Sequence, residues 1–315
     1  MILAKSPLRV SWFGGGSDVP RYYSNYGGAT LSAAIDKYVY VAVMHTPHDH
    51  IKVSYSKQEL VYNVDDVQND IVKNALKFFG IKSNVEITSF SDIPTIGSGL
   101  GGSSAFTCAL VAALSSYCGG SFSTYDIAQI ACYIEIEMCQ WNIGKQDQYA
   151  SAFGGLNYIT YDTIDCVDEI LVTKLPNPEM IHANCILVPT NEVHCASDVI
   201  DTYKFDVMSN LEELGDIARS MSRVTPTLEG YADALKRAWE TKRLLSGKVT
   251  NPAIDTMINK AYDVGASACK LLGAGGGGYI LVMAEDITKV KIAFPDRVCL
   301  TFNISEEGTK VVYRD

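Results

Sequence analysis

The sequence predicts an α+β fold in two domains, 1–178 and 179–315. Three observations carry this prediction. Short β-branched strands mix with amphipathic helices in the first part, a glycine–serine loop near residue 100 leads into an apolar helix, and the pattern restarts after about residue 179. A chain of 315 residues is long enough to bury two cores.

Taken in order, Leu8 to Phe13 reads as a short strand running into Gly14-Gly15-Gly16-Ser17-Asp18-Val19-Pro20, a tight loop that gives the Asp18 carboxylate a fixed direction. A turn-capping role for Asp18 is the plain alternative. Leu31 to Met44 has β-branched and aromatic residues at strand spacing, and Ile51 to Tyr55 and Val85 to Thr88 read as further strands. Val67 to Phe79 reads as a helix stopped by Gly80.

Pro94 to Ala105 is the most informative stretch. It holds four glycines within Gly97-Ser98-Gly99-Leu100-Gly101-Gly102, then Ser103 and Ser104. Glycines allow positive φ and close backbone approach. Successive N–H groups and the following helix N-terminus then converge on one anion. The stretch reads as a phosphate cradle, with a ligand-free turn as the alternative. A Walker A loop is excluded, because no Gly-Lys-Ser/Thr occurs in the chain. Gly97, Gly99 and Gly102 match G-x-G-x-x-G, but Asp92 and Pro94 interrupt the strand which a dinucleotide loop requires.

The helix after this loop closes at Gly119-Gly120, and the next opens at Ser123 with Asp126 completing a capping box. Its apolar stripe of Ile127, Ile130, Ala131, Ile134 and Met138 carries Glu135, whereas Glu137 points to the flank. A carboxylate on such a stripe needs a partner, a hydrogen bond or a metal. Gly144 ends one element and Asp147 starts a short helix that stops at Gly154, with Lys145 beside it. On this stretch alone, Asp147 reads as an N-cap.

In the second part, His182 to Pro189 reads as a strand, Val199 to Met221 and Leu228 to Leu245 as helices, and Asn251-Pro252 as a helix start. Gly273-Ala274-Gly275-Gly276-Gly277-Gly278 leads into a strand at Tyr279 to Met283. It is either a flexible hairpin or a second loop over a bound nucleotide.

Hydrophobic residues make up 47% and charged residues 20%, an ordinary soluble composition. The net charge of −10 argues against nucleic acid and against an anionic membrane surface. No apolar run is long enough to span a bilayer, and the start lacks a signal-peptide core. Nine cysteines without a C-x-x-C pair read as reduced thiols of a cytoplasmic protein, and zinc-ligand spacing is absent.

Leu8-Arg9-Val10 leading to Asp18, the loop at 97–105 and the glycines at 273–278 together resemble the GHMP small-molecule kinase family, over nearly the whole chain. The resemblance implies an N-terminal domain like the second domain of ribosomal protein S5, a ferredoxin-like C-terminal domain, and ATP with Mg²⁺ in the cleft between them. It implies phosphate-binding amides from Gly97, Ser98, Gly99, Leu100, Gly101, Gly102 and Ser103, and Mg²⁺ held by Ser104 and Glu135. Asp147 would accept the acceptor hydroxyl proton and Arg9 would pair with it. Asp18, with Ser17 and Gly16, would bind the sugar. The run from Phe13 to Tyr40 is similar to D-glycero-D-manno-heptose 7-phosphate kinases, with fucokinase domains sharing part of it. That branch phosphorylates the anomeric hydroxyl on the way to nucleotide-activated heptose for bacterial surface polysaccharide. Where those kinases have a Thr-Gly-x-x-Arg segment, this chain has Thr190-Asn191-Glu192-Val193-His194. Arg21, Lys145 and Lys5 then remain as contacts for a sugar phosphate. The partners implied are a small-molecule sugar phosphate and ATP. A homo-oligomer stays open, as does a catalytically inactive sugar- or partner-binding relative.

Overall fold

The first strand is longer than its apolar core indicates. In this computed structural model, which describes residues 1–177, 179–192, 196–203 and 208–315, β1 spans Ile2–Phe13. Its burial alternates as far as Lys5 and is continuous afterwards, so its second half is covered on both faces. The loop Gly14–Val19 leads to α1 (Pro20–Tyr26), and β2 (Gly28–His45) runs back beside β1. β3 (Ile51–Ser54), β4 (Gln58–Val61), α2 (Asp70–Phe79) and β5 (Val85–Ser91) precede the glycine loop. After the loop come α3 (Gly102–Tyr117), α4 (Thr124–Cys132), a π-helical turn at Tyr133–Met138, and α5 (Gln146–Phe153). A hairpin of β6 (Leu156–Ile164) and β7 (Val167–Leu175) closes this half.

The second half holds α6 (Glu179–His182), β8 (Cys185–Pro189), α7 (Ala196–Ile200), α8 (Met208–Met221) and α9 (Leu228–Arg243). Then follow α10 (Pro252–Asp263), β9 (Ala266–Leu271), β10 (Tyr279–Ala284), α11 (Ile287–Ala293) and β11 (Lys310–Arg314).

The large sheet runs β11-β1-β2-β5-β3-β4, antiparallel except for the parallel pair β3–β5. β2 is long enough for two partners on one edge, β6 along Gly28–Ala33 and β5 along Val39–His45. A separate antiparallel sheet, β8-β10-β9, carries the second half. The α+β architecture in two parts is therefore the one expected.

Local signals held where they rest on hydrogen bonds of short span. Ser123 and Asp126 form a complete capping box, Asn251 caps α10 ahead of Pro252, and Gly80 ends α2 in the left-handed region. Three expectations need correction. The strand expected from His182 starts only at Cys185, because α6 takes up Glu179–His182. The helix expected over Val199 to Met221 is two helices, α7 and α8. The expected second domain, 179–315, does not hold together at its end, since β11 pairs with β1 and completes the first sheet. The junction at Pro178 lies outside the described residues.

One core joins the halves. Trp12 and Phe13 at the end of β1 meet Tyr231 of α9 edge-on, with ring centroids 5.7 and 5.5 Å apart. Leu8, Val10, Leu211, Leu235 and Trp239 belong to the same buried cluster. Apolar burial thus holds the end of β1 against the second half, and the loops of both halves face one cleft. Among the described residues, no helix is long and apolar enough to cross a membrane.

Candidate active site

β1, α5 and the glycine loop meet at Arg9. Its main-chain N–H donates to Leu100 O at 3.0 Å, and Nη1 donates to Gly99 O at 2.6 Å. The rest of the guanidinium meets Asp147 with two parallel bonds, Nε to Oδ1 and Nη2 to Oδ2, both 2.6 Å. Arg9 is 3% exposed, so this pair is largely desolvated on the arginine side. Asp147 lies in the first turn of α5, where the helix dipole favours an anion. Lys145 is the residue at the cap position, so Asp147 is not an N-cap.

Asp18 is anchored from two sides. Oδ1 accepts from Gly16 N at 2.8 Å and from Gln146 Nε2 at 3.2 Å, while Oδ2 accepts from Gln146 N at 3.0 Å. Gly144 passes so close that a Cβ there would overlap the Asp18 carboxylate. Burial raises the Asp18 carboxyl above its ordinary range, the backbone hydrogen bonds oppose this, and nearby Asp147 adds to it.

The two glycine segments are packed backbone to backbone. A Cβ on Gly99, at φ +71°, would stand 2.7 Å from Leu272 O, and one on Gly273 would stand 2.6 Å from the Gly99 Cα. Tyr279 N donates to Ser98 O at 3.0 Å. Gly273–Gly278 is therefore a second loop against the first rather than a free hairpin.

Glu135 sits in the π-helical turn and is fully buried, whereas Glu137 is exposed. Its carboxylate accepts from Ser104 Oγ at 2.9 Å, from Thr107 Oγ1 at 3.1 Å and from Gln148 Nε2. Burial pushes it up to about 7 against those three hydrogen bonds. Gln148 Oε1 beside it is buried without a partner.

Next to these groups lies one cavity of about 900 Å³; Glu135, expected as a metal ligand, is not on its wall but lies behind Ser104, to which it is hydrogen-bonded. Six of the seven loop residues expected to offer amides line the cavity, and so does Ser104. Leu100 instead turns into the core. Arg9, Gly16, Asp18 and Asp147 line it as well. Ser17, Lys145, Arg21 and Lys5 are not brought to it, which corrects their expected place. Ser17 Oγ is consumed by Gly14 O and Ala29 O, because it locks the loop to β2. Lys145 pairs with Asp168 over the Tyr23 ring. Arg21 donates to Ile200 O, and Lys5 lies over the Tyr38 ring. His194 lies outside the described residues.

Sequence reasoning missed four residues of the cavity wall. Ser11 Oγ is buried there without a partner. Gln146 braces Asp18 and accepts from Ser32 Oγ at 3.0 Å. Lys242 and Lys270 are 4% and 3% exposed. A signal existed for Lys242, which continues the helical stripe Tyr231, Leu235, Ala238 and Trp239. None existed for Ser11, whose environment is made by distant segments.

Comparison with known proteins bears on the fold and on the activity. The model of the GHMP kinases N terminal domain matches residues 67–155, and that of the GHMP kinases C terminal domain matches 207–294. The chain is 27% identical to the D-glycero-alpha-D-manno-heptose 7-phosphate kinase of Campylobacter jejuni, over 98% of both chains. It is 24% identical to the L-fucokinase/L-fucose-1-P guanylyltransferase of Bacteroides fragilis, over 91% of this chain and 35% of that one. A D-glycero-D-manno-heptose 1-phosphate kinase structure from Bacteroides thetaiotaomicron superposes over 100% of both chains, with TM-score 0.79 and 23% identity. The two domain models together cover more than half of the sequence, and the chain belongs to the GHMP kinase family of ATP-dependent kinases.

Proposed function

We propose that this kinase is a sugar-1-kinase that transfers the terminal phosphoryl of ATP to the anomeric hydroxyl of D-glycero-D-manno-heptose 7-phosphate. The observation that carries the reading is the bidentate Arg9–Asp147 pair, standing between the glycine loop and Asp18 on the wall of one cavity. Similarity to the Campylobacter jejuni enzyme supports the choice of sugar.

Phosphoryl transfer is mostly positioning and charge stabilisation. Asp147, held by both guanidinium bonds, takes the proton of the acceptor hydroxyl. An anomeric hydroxyl is the most acidic of a sugar and suits a carboxylate base. Asp18, fixed by Gly16 and Gln146, orients the ring hydroxyls. The amides of the loop and the N-terminus of α3 face the phosphates. Ser104 on the cavity wall and the Glu135 carboxylate hydrogen-bonded behind it would hold Mg²⁺ through oxygen donors, and Glu135 has no cation bonded to it among the described residues. Held there, Mg²⁺ would supply neutralisation of the phosphate charge. The product fits nucleotide-activated heptose synthesis in the cytoplasm.

The second reading is a kinase for an unphosphorylated sugar such as L-fucose. It is favoured by the removal of Arg21, Lys145 and Lys5 from the cavity, and by the Bacteroides fragilis relative. An ADP-release assay with heptose 7-phosphate, the free heptose, fucose, mannose and galactose decides between them. Faster turnover of a free sugar than of heptose 7-phosphate rules out the first reading.

A further inference from the structure

Three buried cations meet at the glycine loop, and among the described residues only Arg9 of the three has an anionic partner. Lys242 on α9 donates to Leu271 O at 3.0 Å and to Gly273 O. Between those two carbonyls lies Leu272, the residue whose own carbonyl abuts Gly99. Lys270 on β9 crosses to the other half and donates to Ser11 O at 2.9 Å and Trp12 O at 2.7 Å. Arg9 reaches the Gly99 carbonyl as well. All three line the cavity next to Asp147. Among the described residues neither lysine forms an ion pair.

An ammonium has three donors, and two carbonyls leave one donor free on each lysine. Burying an ammonium without a counter-charge is costly, and carbonyl dipoles offset only part of that. Two such groups side by side repel each other as well. An anion placed in the cavity between them removes both costs.

We propose that Lys242 and Lys270, with Arg9 facing them, bind a phosphate group of the bound ligand. This rests on the reading of the cavity as one that takes ATP and a phosphoryl acceptor. The phosphate is either the terminal one of the nucleotide, beside Gly99, or the one carried by the acceptor. Burial, reinforced by the charge of Arg9, lowers Lys242 to about 7, and Lys270 is lowered by burial and by Lys242. In both, the charged form is disfavoured in the absence of an anion.

The test is isothermal titration of the full chain with ATP, ADP, D-glycero-D-manno-heptose 7-phosphate and the free heptose, all with Mg²⁺. It compares wild type, Lys242→Met and Lys270→Met. Methionine keeps the length of the stem and removes the charge. Lys242→Gln replaces Lys242→Met if the latter does not fold. The expected result is at least a tenfold loss of affinity for one phosphate-bearing ligand, with its counterpart lacking that phosphate bound as before. A loss for ATP but not ADP assigns the nucleotide's terminal phosphate. A loss for heptose 7-phosphate but not heptose assigns the acceptor's phosphate. Unchanged affinity for both ATP and heptose 7-phosphate, or an equal loss for ATP and ADP with no loss for heptose 7-phosphate, overturns the site. If wild type fails to bind heptose 7-phosphate, the substrate reading falls and the ATP–ADP comparison still decides this one.

Discussion

Arg9 holds Asp147 edge-on with both arms, at 2.6 Å each, and spends its remaining nitrogen on the Gly99 carbonyl of the glycine loop. One side chain thus ties the Asp147 carboxylate to the loop. Asp147→Asn removes the proton acceptor but keeps the shape. We expect kcat to fall by about 10³-fold or more with ATP affinity within threefold of wild type. Arg9→Lys loses the fork geometry and should cost about 10–100-fold in kcat. Steady-state kinetics with nucleotide binding measured in parallel checks both, and a fully active Asp147→Asn enzyme removes Asp147 as the base.

Glu135 and Glu137 lie two residues apart on one π-helical turn, one buried and one exposed. Glu135→Gln should raise the Mg²⁺ concentration needed for half-maximal rate by about tenfold or more, and Glu137→Gln should leave it unchanged. The reverse order in a magnesium titration would transfer the metal role to Glu137.

Gly144 leaves no space for a Cβ beside the Asp18 carboxylate. Gly144→Ala should displace Asp18, raise acceptor KM by about tenfold, and destabilise the protein by about 1–3 kcal/mol through strain. Nucleotide KM should not move. Ser123→Ala, which breaks only the capping box of α4, is the matched control. It should cost about 1 kcal/mol with no kinetic effect.

Lys242 carries a pH signature. Its folded pKa of about 7 lies below the unfolded value of 10.5, so between those values the unfolded chain binds the extra proton. Stability from this group therefore rises with pH across that window and is flat below it. The wild type should gain about 2 kcal/mol relative to Lys242→Met between pH 7 and pH 9. Denaturant melts at the two pH values measure this, and parallel profiles for the two proteins would refute it.

What the sequence determined by itself was everything encoded within a turn or two of chain. The tight glycine turns ahead of α3, the caps at Ser123 and Asn251, and the buried side of the stripe carrying Glu135 all rest on local periodicity and on backbone groups that need partners nearby. Family resemblance then added Arg9, Asp18 and Asp147 as a set. Tertiary structure alone decided which of the polar residues face the cavity. Ser17 and Lys145 sit beside cavity residues in sequence but are turned away, because Ala29 O and Asp168 claim them. Lys270 and Ser11 are 259 positions apart and meet only because apolar burial clamps β9 against the end of β1. Likewise, β11 closes the first sheet from the far end of the chain. Such pairings depend on how whole faces pack, and burial has no sequence range.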